Sequence, residues 1–259
     1  MKNRVKERLK QGLPAVGNWI NIPSPAVAEI LAAHGMDWLL IDTEHSPIDY
    51  ETMEDILRAL RGTEVVPLVR VAGNDPVLIK KALDRGAMGV LVPLVNSAEE
   101  AAVAVAAAKY PPQGIRGVAG TRASRYGADL RAYFDAWNEE VLVAVQVETR
   151  QALEQVEAIA AVPGVDVLFV GPNDLSANLG VFQQWDHPTF QEAIDRVLAA
   201  AGQHGIAAGY MATDSASVLG KIEEGFRFVA AGSDTRLLGA AAAATYGAIE
   251  RGLRDRKLL

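Results

Sequence analysis

The chain has 259 residues, of which 50% are hydrophobic and 6% aromatic, and its formal net charge is −7 without a basic run. This charge balance argues against nucleic acid or an anionic membrane as a partner. Because the chain contains no cysteine, disulfides, thiolate metal sites and cysteine nucleophiles are excluded, and any metal must be bound by oxygen or imidazole ligands.

The amino-terminal segment, MKNRVKERLKQGLPAVG, is charged and lacks the continuous apolar core of a signal peptide. No apolar stretch of about 20 residues, the length that spans a membrane, occurs outside an Ala-rich helix. We therefore predict a cytoplasmic protein. Its length fits a single α/β domain over residues 1–259.

A repeating unit organises the chain: a helix-like segment ends in glycine, and a short strand rich in Val, Leu and Ile follows. The junction glycines are Gly35, Gly62, Gly86, Gly164, Gly205 and Gly225. Glycine is expected after a last helical turn because it adopts the left-handed conformation without strain. With the opening run Ala15–Ile22 and the run Val141–Val147, the pattern predicts eight strands.

The predicted helices alternate with these strands. They cover Pro25–His34, Tyr50–Arg61, Pro76–Arg85, Ser97–Lys109, Arg150–Ala161, Pro188–His204, Ser215–Glu224 and an Ala-rich tail from about Leu237 to Leu253. Eight alternating units favour a closed (β/α)₈ TIM barrel over an open doubly wound sheet. The Ala-rich tail either packs against a neighbouring subunit or is an ordinary outer helix.

Residues 110–140 form a long insertion between the fourth predicted helix and the fifth strand. Long insertions in barrels are usually functional lids or subunit contacts. The insertion contains Arg116, Arg122 and Arg125. These arginines either steer an anionic substrate at the barrel mouth or pair with surface acids.

Two predicted strands end in a carboxylate. The run that begins at Val141 closes on Gln146-Val147-Glu148-Thr149, and the run Val165–Val170 closes on Gly171-Pro172-Asn173-Asp174. A helix between them makes the strands parallel, so Glu148 and Asp174 should meet at the same edge of the sheet. Converging acids repel each other unless a cation lies between them, which predicts a metal site. The alternative is that each acid caps the helix that follows it.

Two basic side chains belong to the same edge. His45 lies just past the second strand, where it is either a general base, since an ordinary histidine pKa suits proton transfer near neutral pH, or a hydrogen-bonded loop residue. Arg70 ends the third strand and either stabilises a carbonyl or enolate oxygen or simply pairs with Asp42 or Glu44. No predicted strand ends in lysine, which disfavours a Schiff-base enzyme.

A family resemblance runs through the chain in order. The segments that carry it are Trp38–His45, Val69-Arg70, Tyr110–Gly117, Ala123–Tyr126, Gln146-Val147-Glu148-Thr149 and Gly171–Ser176. Together they resemble the HpcH/HpaI aldolases, which are metal-dependent pyruvate aldolases. The family's Gly-Pro-Ala-Asp turn is Gly-Pro-Asn-Asp here.

The resemblance implies roles for individual residues. Glu148 and Asp174 become the metal ligands, while Gln146 and the turn at Asn173 and Asp174 contact pyruvate. His45 becomes the base and Arg70 the group that stabilises the enolate oxygen. Asp84 matches an aspartate that raises the basicity of the histidine. Within one barrel, however, Asp84 should lie at the face opposite the mouth, either waiting for the histidine of a neighbouring subunit or paired with Arg85 or Lys81.

The implied reaction is metal-dependent, reversible aldol cleavage of a 4-hydroxy-2-oxo acid through an enolate. The products are pyruvate, or a close analogue such as hydroxypyruvate, and an aldehyde. The resemblance further implies Mg²⁺, Mn²⁺ or Co²⁺ as cofactor and a homo-oligomer, either a trimer or a hexamer with exchanged carboxyl-terminal helices. Two alternatives stay open: an acyl-CoA lyase similar to the citrate lyase β-subunit, and a non-catalytic barrel that binds oxo acids.

Overall fold

A closed barrel of eight parallel strands forms the centre of the computed structural model, which describes residues 2–258. Each strand pairs with the next along the chain, and the last pairs with the first. In order, the strands are β1 (Ala15–Ile20), β2 (Trp38–Asp42), β3 (Val66–Arg70), β4 (Gly89–Val92), β5 (Leu142–Val147), β6 (Val167–Val170), β7 (Ala207–Ala212) and β8 (Phe228–Ser233). The predicted (β/α)₈ barrel is therefore confirmed.

Helices connect the strands and cover the outside of the barrel. They are α1 (Arg4–Lys10), α2 (Pro25–Ala32), α3 (Tyr50–Ala59), α4 (Pro76–Asp84), α5 (Ala98–Ala108), α6 (Leu130–Glu140), α7 (Arg150–Glu154), α8 (Val156–Ala160), α9 (Pro172–Asn178), α10 (Pro188–His204), α11 (Ser215–Glu224) and α12 (Asp234–Asp255). Gly205 and Gly225 end α10 and α11 in the left-handed conformation, as predicted from their positions. None of the helices in residues 2–258 is both long and apolar enough to cross a membrane.

Strand alternation divides the core into two layers. Val, Leu and Ile on the outer face of the strands pack under the helices, and a second cluster fills the barrel interior. In that interior, Trp38 stacks on Phe228 with their ring centroids 4.3 Å apart, and Phe169 packs edge-on against Phe228. Trp38 and Phe228 are the first residues of β2 and β8 and fill the lower interior, which leaves room for polar residues at the carboxyl ends of the strands.

Helix α1, which the sequence pattern did not predict, covers the amino-terminal end of the barrel. It contributes Val5 to the interior cluster. Its Lys6 is buried, donates to the carbonyl of Val141 at 2.6 Å and lies 3.0 Å from Asp166. The amino-terminal end of the barrel is therefore closed, and any ligand must enter from the carboxyl end.

Two further segments differ from the prediction. The predicted helix Arg150–Ala161 is divided into α7 and α8 at Gln155, whose ψ of 9° lies outside the helical range. The insertion, to which the sequence pattern assigned no helix, contains α6 and a short 3₁₀ turn at Arg122–Ser124. Helix α6 follows the helical spacing of Tyr133 and Trp137, which are buried on one face.

Helix α12 differs from the other outer helices in its burial. It has 22 residues, all of them described, and Asp234 at its first position is the only buried one. Leu238, Tyr246 and Ile249 are exposed by 63%, 72% and 52%. Past its first turn, the helix therefore extends away from the barrel with an uncovered apolar surface.

Candidate active site

The carboxyl ends of the strands surround a cavity of about 230 Å³. The predicted site residues that line it are His45, Arg70, Gln146, Asn173 and Asp174. Glu148 lies beside Gln146 and is buried, with 4% of its surface exposed. These residues come from four loops or strand ends, so the closed barrel brings together groups that are up to 129 positions apart, from His45 to Asp174.

Arg70 is held by a carboxylate at the end of the neighbouring strand. Because β2 and β3 pair in register at Asp42 and Arg70, the two side chains meet inside the barrel. Arg70 Nε donates to Asp42 Oδ1 at 2.9 Å, and Nη2 donates to Oδ2 at 2.8 Å. Arg70 and Asp42 are 6% and 0% exposed, so this two-bond ion pair is shielded from water.

The remaining surroundings of Arg70 orient its guanidinium group toward the cavity. Glu44 Oε2 lies 2.9 Å from Nη1, as an ion pair without hydrogen-bond geometry. The indole ring of Trp19 lies under the guanidinium, with its centroid 4.2 Å from Cζ. Arg70 has five N–H groups, and Asp42 uses two of them, so donors are left for an oxygen in the cavity. The predicted pairing of Arg70 with Asp42 and Glu44 is therefore present, and Arg70 also lines the cavity; its action on a carbonyl or enolate oxygen stays a prediction.

His45 lies on the open rim of the cavity. Its side chain is 68% exposed, and its Nε2 is 3.8 Å from Glu44 Oε2. Its backbone N–H donates to Asp42 Oδ1 at 3.3 Å, so Asp42 orients the loop of His45 and not its ring. An exposed imidazole beside a buried arginine can accept a proton from a ligand that Arg70 holds.

Glu148 is fixed by two donors from different elements. The backbone N–H of Leu94, just after β4, donates to Oε1 at 2.8 Å, and the amide of Gln146 donates to Oε2. Burial raises the pKa of Glu148, and the negative charges of Asp174 and Glu44 raise it further, while the two donors oppose the shift. Glu148 and Asp174 follow the paired strands β5 and β6 at the same face of the barrel, and Gly171, three residues before Asp174, lies against the side chain of Glu148.

Gly171 makes this close approach possible. It is the residue between β6 and α9, and a Cβ atom built on it would lie 2.8 Å from Gln146 Nε2 and 3.0 Å from Glu148 Oε2. Only glycine lets the turn that carries Asn173 and Asp174 approach the end of β5 this closely.

The donor set fits a hard divalent cation. Glu148 and Asp174 supply carboxylate oxygens, and the buried Oε1 of Gln146 accepts no hydrogen bond. Within residues 2–258, no group of three or more Asp, Glu or His side chains converges in a way that could hold a metal. Two carboxylates with the other positions left to water and substrate are the arrangement that Mg²⁺ commonly takes in enzymes.

Asp84 lies elsewhere in the chain. It ends α4 and accepts a hydrogen bond from Arg116 Nη2 at 2.7 Å, so neither Arg85 nor Lys81 is its main partner. Arg116 is buried among the rings of Tyr110, Tyr133 and Trp137. Within one chain, the structure therefore does not bring Asp84 to His45.

The arginines of the insertion do not reach the mouth within the chain. Arg122 donates to the backbone carbonyls of Arg85 and Leu57, at the carboxyl ends of α4 and α3. Arg125 pairs with Asp129 at 3.1 Å. The carboxyl ends of the helices lie at the amino-terminal face of the barrel, so the expected steering role has no support within one protomer. The backbone carbonyls offered by these helix ends explain why arginines occur there.

Three residues contribute to the site although the sequence pattern did not indicate them. Leu94 acts through its backbone and has no side-chain signature, although its position just after a strand end marks it as part of the rim. Trp19 lies near the end of β1, where inward alternation was a signal that could have been used. Asn21 donates to Asp42 Oδ2 at 2.9 Å, a contact that no local pattern predicts.

Comparison with known proteins places this geometry in a family. The family model described as HpcH/HpaI aldolase/citrate lyase matches residues 15–241. A hydroxypyruvate/pyruvate aldolase from Sagittula stellata is 44% identical over 94% of this chain and 96% of its own length. A 4-hydroxy-2-oxo-heptane-1,7-dioate aldolase from Salmonella dublin is 42% identical over 96% of both chains.

A solved structure gives the same result. The HpcH/HpaI aldolase/citrate lyase family protein from Burkholderia cenocepacia is 40% identical and superimposes with a TM-score of 0.92, covering 96% of this chain and 100% of that one. Similarity in sequence and in fold thus extends over nearly the whole barrel. The chain therefore belongs to the HpcH/HpaI aldolase/citrate lyase family and is a carbon–carbon lyase, which confirms the predicted family and enzyme class.

Proposed function

We propose that the protein catalyses the reversible cleavage of a 4-hydroxy-2-oxo acid into an aldehyde and pyruvate, or a close analogue such as hydroxypyruvate. One observation carries the proposal: Arg70 and Asp174 line one cavity with an exposed histidine at its rim, and the buried carboxylate of Glu148 is bound to Gln146 in the wall of that cavity. This combination can hold an oxo acid by its oxygens and accept a proton from its hydroxyl. The names of the Sagittula and Salmonella relatives agree with it.

Glu148 and Asp174 would hold a divalent cation such as Mg²⁺, Mn²⁺ or Co²⁺. When bound, the cation supplies a Lewis acid that lowers the energy of negative charge on a carbonyl oxygen. Gln146 and Asn173, on either side of the acids, would contact the oxo acid. Gln146 keeps the carboxylate of Glu148 oriented through its amide donor.

The chain's own residues account for the bond changes. Arg70, fixed by Asp42, donates to the 2-oxo oxygen and stabilises the negative charge that develops there. His45 accepts the proton of the 4-hydroxyl group, the bond between C3 and C4 breaks, and C4 becomes the aldehyde carbonyl. The electron pair passes to C3 and gives the enolate of pyruvate. C3 then takes up a proton from water and becomes the methyl group of pyruvate, and His45 releases its proton to solvent.

We also propose a cytoplasmic homo-oligomer, a trimer or hexamer in which the carboxyl-terminal helices are exchanged. The exposed apolar surface of α12 supports this assembly. Asp84 of the partner subunit would then approach His45 and raise its basicity. Its pairing with Arg116 leaves Asp84 partly exposed, with 19% of its side chain accessible, so contact with a second chain is sterically open.

The test is exchange of the methyl protons of pyruvate for deuterium, followed by NMR with and without a divalent ion. We expect exchange that requires the ion and that is abolished by EDTA and by Glu148→Gln. The matched control, Glu192→Gln on the exposed side of α10, should exchange at the wild-type rate. Condensation of pyruvate with a panel of aldehydes would then identify the second substrate.

The same assay separates the alternatives. If pyruvate does not exchange in the presence of metal but an acyl-CoA is cleaved, the acyl-CoA lyase is supported and the aldolase proposal fails. If neither reaction occurs with any of the three ions, the proposed function is wrong.

A further inference from the structure

The only buried residue of α12 is bound to the end of β1. Asp234 accepts hydrogen bonds from the backbone N–H of Asn21, at 3.0 Å to Oδ1 and 3.1 Å to Oδ2, and from the N–H of Ile22, at 2.9 Å to Oδ2. It is 3% exposed. Because a carboxylate with several N–H donors has little rotational freedom, Asp234 fixes the backbone of Asn21.

The side chain of Asn21 continues this contact into the active site. Its Nδ2 donates to Asp42 Oδ2 at 2.9 Å, the same oxygen that accepts from Arg70 Nη2 at 2.8 Å. A continuous set of hydrogen bonds therefore leads from Asp234 through Asn21 and Asp42 to Arg70. Asp234 and Asn21 are separated by 213 positions, and only the closure of the barrel brings them together.

The two oxygens of Asp42 differ in how they are held. Oδ1 accepts from the backbone N–H groups of Glu44 and His45 as well as from Arg70 Nε. Within residues 2–258, Oδ2 has only Asn21 as a hydrogen-bond partner besides Arg70. The backbone donors hold only Oδ1, so the Asn21 amide holds the other end of the carboxylate and limits its rotation about the Cβ–Cγ bond. The plane of the carboxylate sets the plane of the guanidinium group in a two-bond pair.

We propose that Asn21 and Asp234 are positioning residues of the active site: they fix the carboxylate of Asp42 and, through it, the direction in which Arg70 presents its free N–H groups. The proposal rests on the proposed role of Arg70 and adds two residues to it. It also couples the seating of α12 on the barrel to the geometry of the site.

The first test is a double-mutant cycle between Asn21→Ala and Arg70→Lys, measured as kcat for cleavage. Loss of a hydrogen bond to a charged group typically costs about a factor of ten, so Asn21→Ala should lower kcat about tenfold in the wild-type background. In the Arg70→Lys background, Asn21→Ala should lower kcat by less than about twofold, because the effects of substitutions in a shared hydrogen-bond network are not additive. Equal losses in both backgrounds would overturn the proposal.

Matched controls separate positioning from folding. Asn74→Ala removes an amide that donates to the carbonyl of Glu100 on the same rim, with no link to Asp42. It should leave kcat unchanged. Asp234→Asn keeps one acceptor oxygen and should lose less activity than Asp234→Ala. Asp75→Ala removes the exposed acid that caps α4, and it should affect stability but not kcat.

The second test does not depend on turnover. The N–H resonance of Arg70 Nε, identified by its absence in Arg70→Lys, reports directly on the bond to Asp42. Asn21→Ala and Asp234→Ala should shift this resonance and speed its exchange with solvent, whereas Asn74→Ala should not. An unchanged resonance in both variants overturns the positioning role even if the wild-type enzyme is active. A shifted resonance in a protein without aldolase activity would refute the proposed function and leave the positioning role standing.

Discussion

The proposed role of Arg70 depends on the geometry of its guanidinium group as much as on its charge. It makes two parallel bonds to Asp42 at 2.8 and 2.9 Å, which a lysine cannot reproduce because its charge sits on a single nitrogen. We expect Arg70→Lys to lower kcat by about 100- to 1,000-fold, the usual loss when a donor to a developing oxyanion is removed. Steady-state kinetics of cleavage measures this.

The control for Arg70→Lys is an arginine with the same pairing away from the site. Arg196 makes two bonds of 2.8 Å to the two oxygens of Glu157 on the surface. Arg196→Lys should leave kcat unchanged, since it removes the same geometry without contact to the cavity. A kcat for Arg70→Lys within about twofold of wild type would contradict the role of Arg70 as donor.

Gly171→Ala tests how closely the turn after β6 packs against Gln146 and Glu148. In Gly171→Ala, the new Cβ would press on Gln146 Nε2 and Glu148 Oε2, at 2.8 and 3.0 Å. We expect a loss of about 1–3 kcal/mol in the free energy of unfolding, as for other overpacked sites, together with weaker binding of the divalent ion. Urea denaturation and calorimetric titration with Mn²⁺ measure the two effects.

The control is a glycine inside a helix, at a position with space for a side chain. Apart from its chain neighbours and the adjoining backbone of α10, no atom in residues 2–258 lies within 4 Å of a Cβ built on Gly202, so Gly202→Ala should raise the free energy of unfolding by about 0.5–1 kcal/mol. If Gly171→Ala binds Mn²⁺ as tightly as wild type, the turn after β6 is not held in place by close approach to Glu148.

The raised pKa of Glu44 determines the sign of a pH effect on stability. Burial raises the pKa of its carboxyl group above the ordinary value, although Arg70 and His45 oppose the shift. The folded protein therefore binds this proton more readily than the unfolded chain, and the contribution of Glu44 to stability falls as pH rises through the raised pKa. Wild type should gain stability relative to Glu44→Gln as pH is lowered from about 7 to about 5. Urea denaturation of both proteins at several pH values measures this difference; a difference that is constant or of opposite sign would refute it.

At the scale of elements, regular spacing made most of the fold predictable. Six of the eight strands were recognisable as apolar runs after a glycine cap, and β1 and β5 as apolar runs alone. Since parallel strands end at one face, Glu148, Arg70 and His45 could be assigned to a common mouth. The hydrogen bonds from Leu94 to Glu148 and from Asn21 to Asp234 could not be predicted. They involve backbone donors and residues that are far apart in the chain. Helix α1 has only 7 residues, too few for its pattern to be recognised.

The insertion is attached to the barrel by a buried ion pair. Arg116 is enclosed by three aromatic rings, with its Cζ 4.5 Å from the ring centroid of Trp137, and Asp84 is its only acidic partner in residues 2–258. We expect Asp84→Ala to lower the free energy of unfolding by about 3 kcal/mol, because it leaves a buried charge without compensation. Thermal and urea denaturation measure the loss.

Two further variants identify the cause of the loss of stability in Asp84→Ala. Asp129→Ala removes the partner of the exposed Arg125 and should cost less than about 1 kcal/mol. Replacing Arg116 by Met in the Asp84→Ala background should restore part of the stability, since the charge is removed together with its need for a partner. If this double variant is stable but still inactive, the loss of activity belongs to Asp84 itself, as expected if it assists His45 of another subunit. Full activity in the double variant would contradict that role.

At the scale of the whole molecule, α12 leaves the barrel incompletely covered. Ile30 on α2 and Leu219 on α11 are 61% and 62% exposed, although a closed ring of helices would place a helix between α11 and α2. Leu238, Tyr246 and Ile249 form an apolar stripe on α12 that is equally uncovered. The two surfaces have the same chemistry, and pairing them between two copies of the chain would bury both.

The stripe on α12 gives a direct test of this pairing. Leu238 and Ile249 are 11 positions apart and lie on nearly the same side of the helix, so both should face the partner barrel. We expect Leu238→Asp/Ile249→Asp to lower the sedimentation coefficient of the protein, because two charges in an apolar contact oppose association. The control is Ala244→Asp, which adds a charge to the opposite side of the same helix and should leave the assembly intact. Sedimentation of the double variant identical to wild type would show that α12 extends into solvent and that the uncovered surfaces of α2 and α11 have another partner.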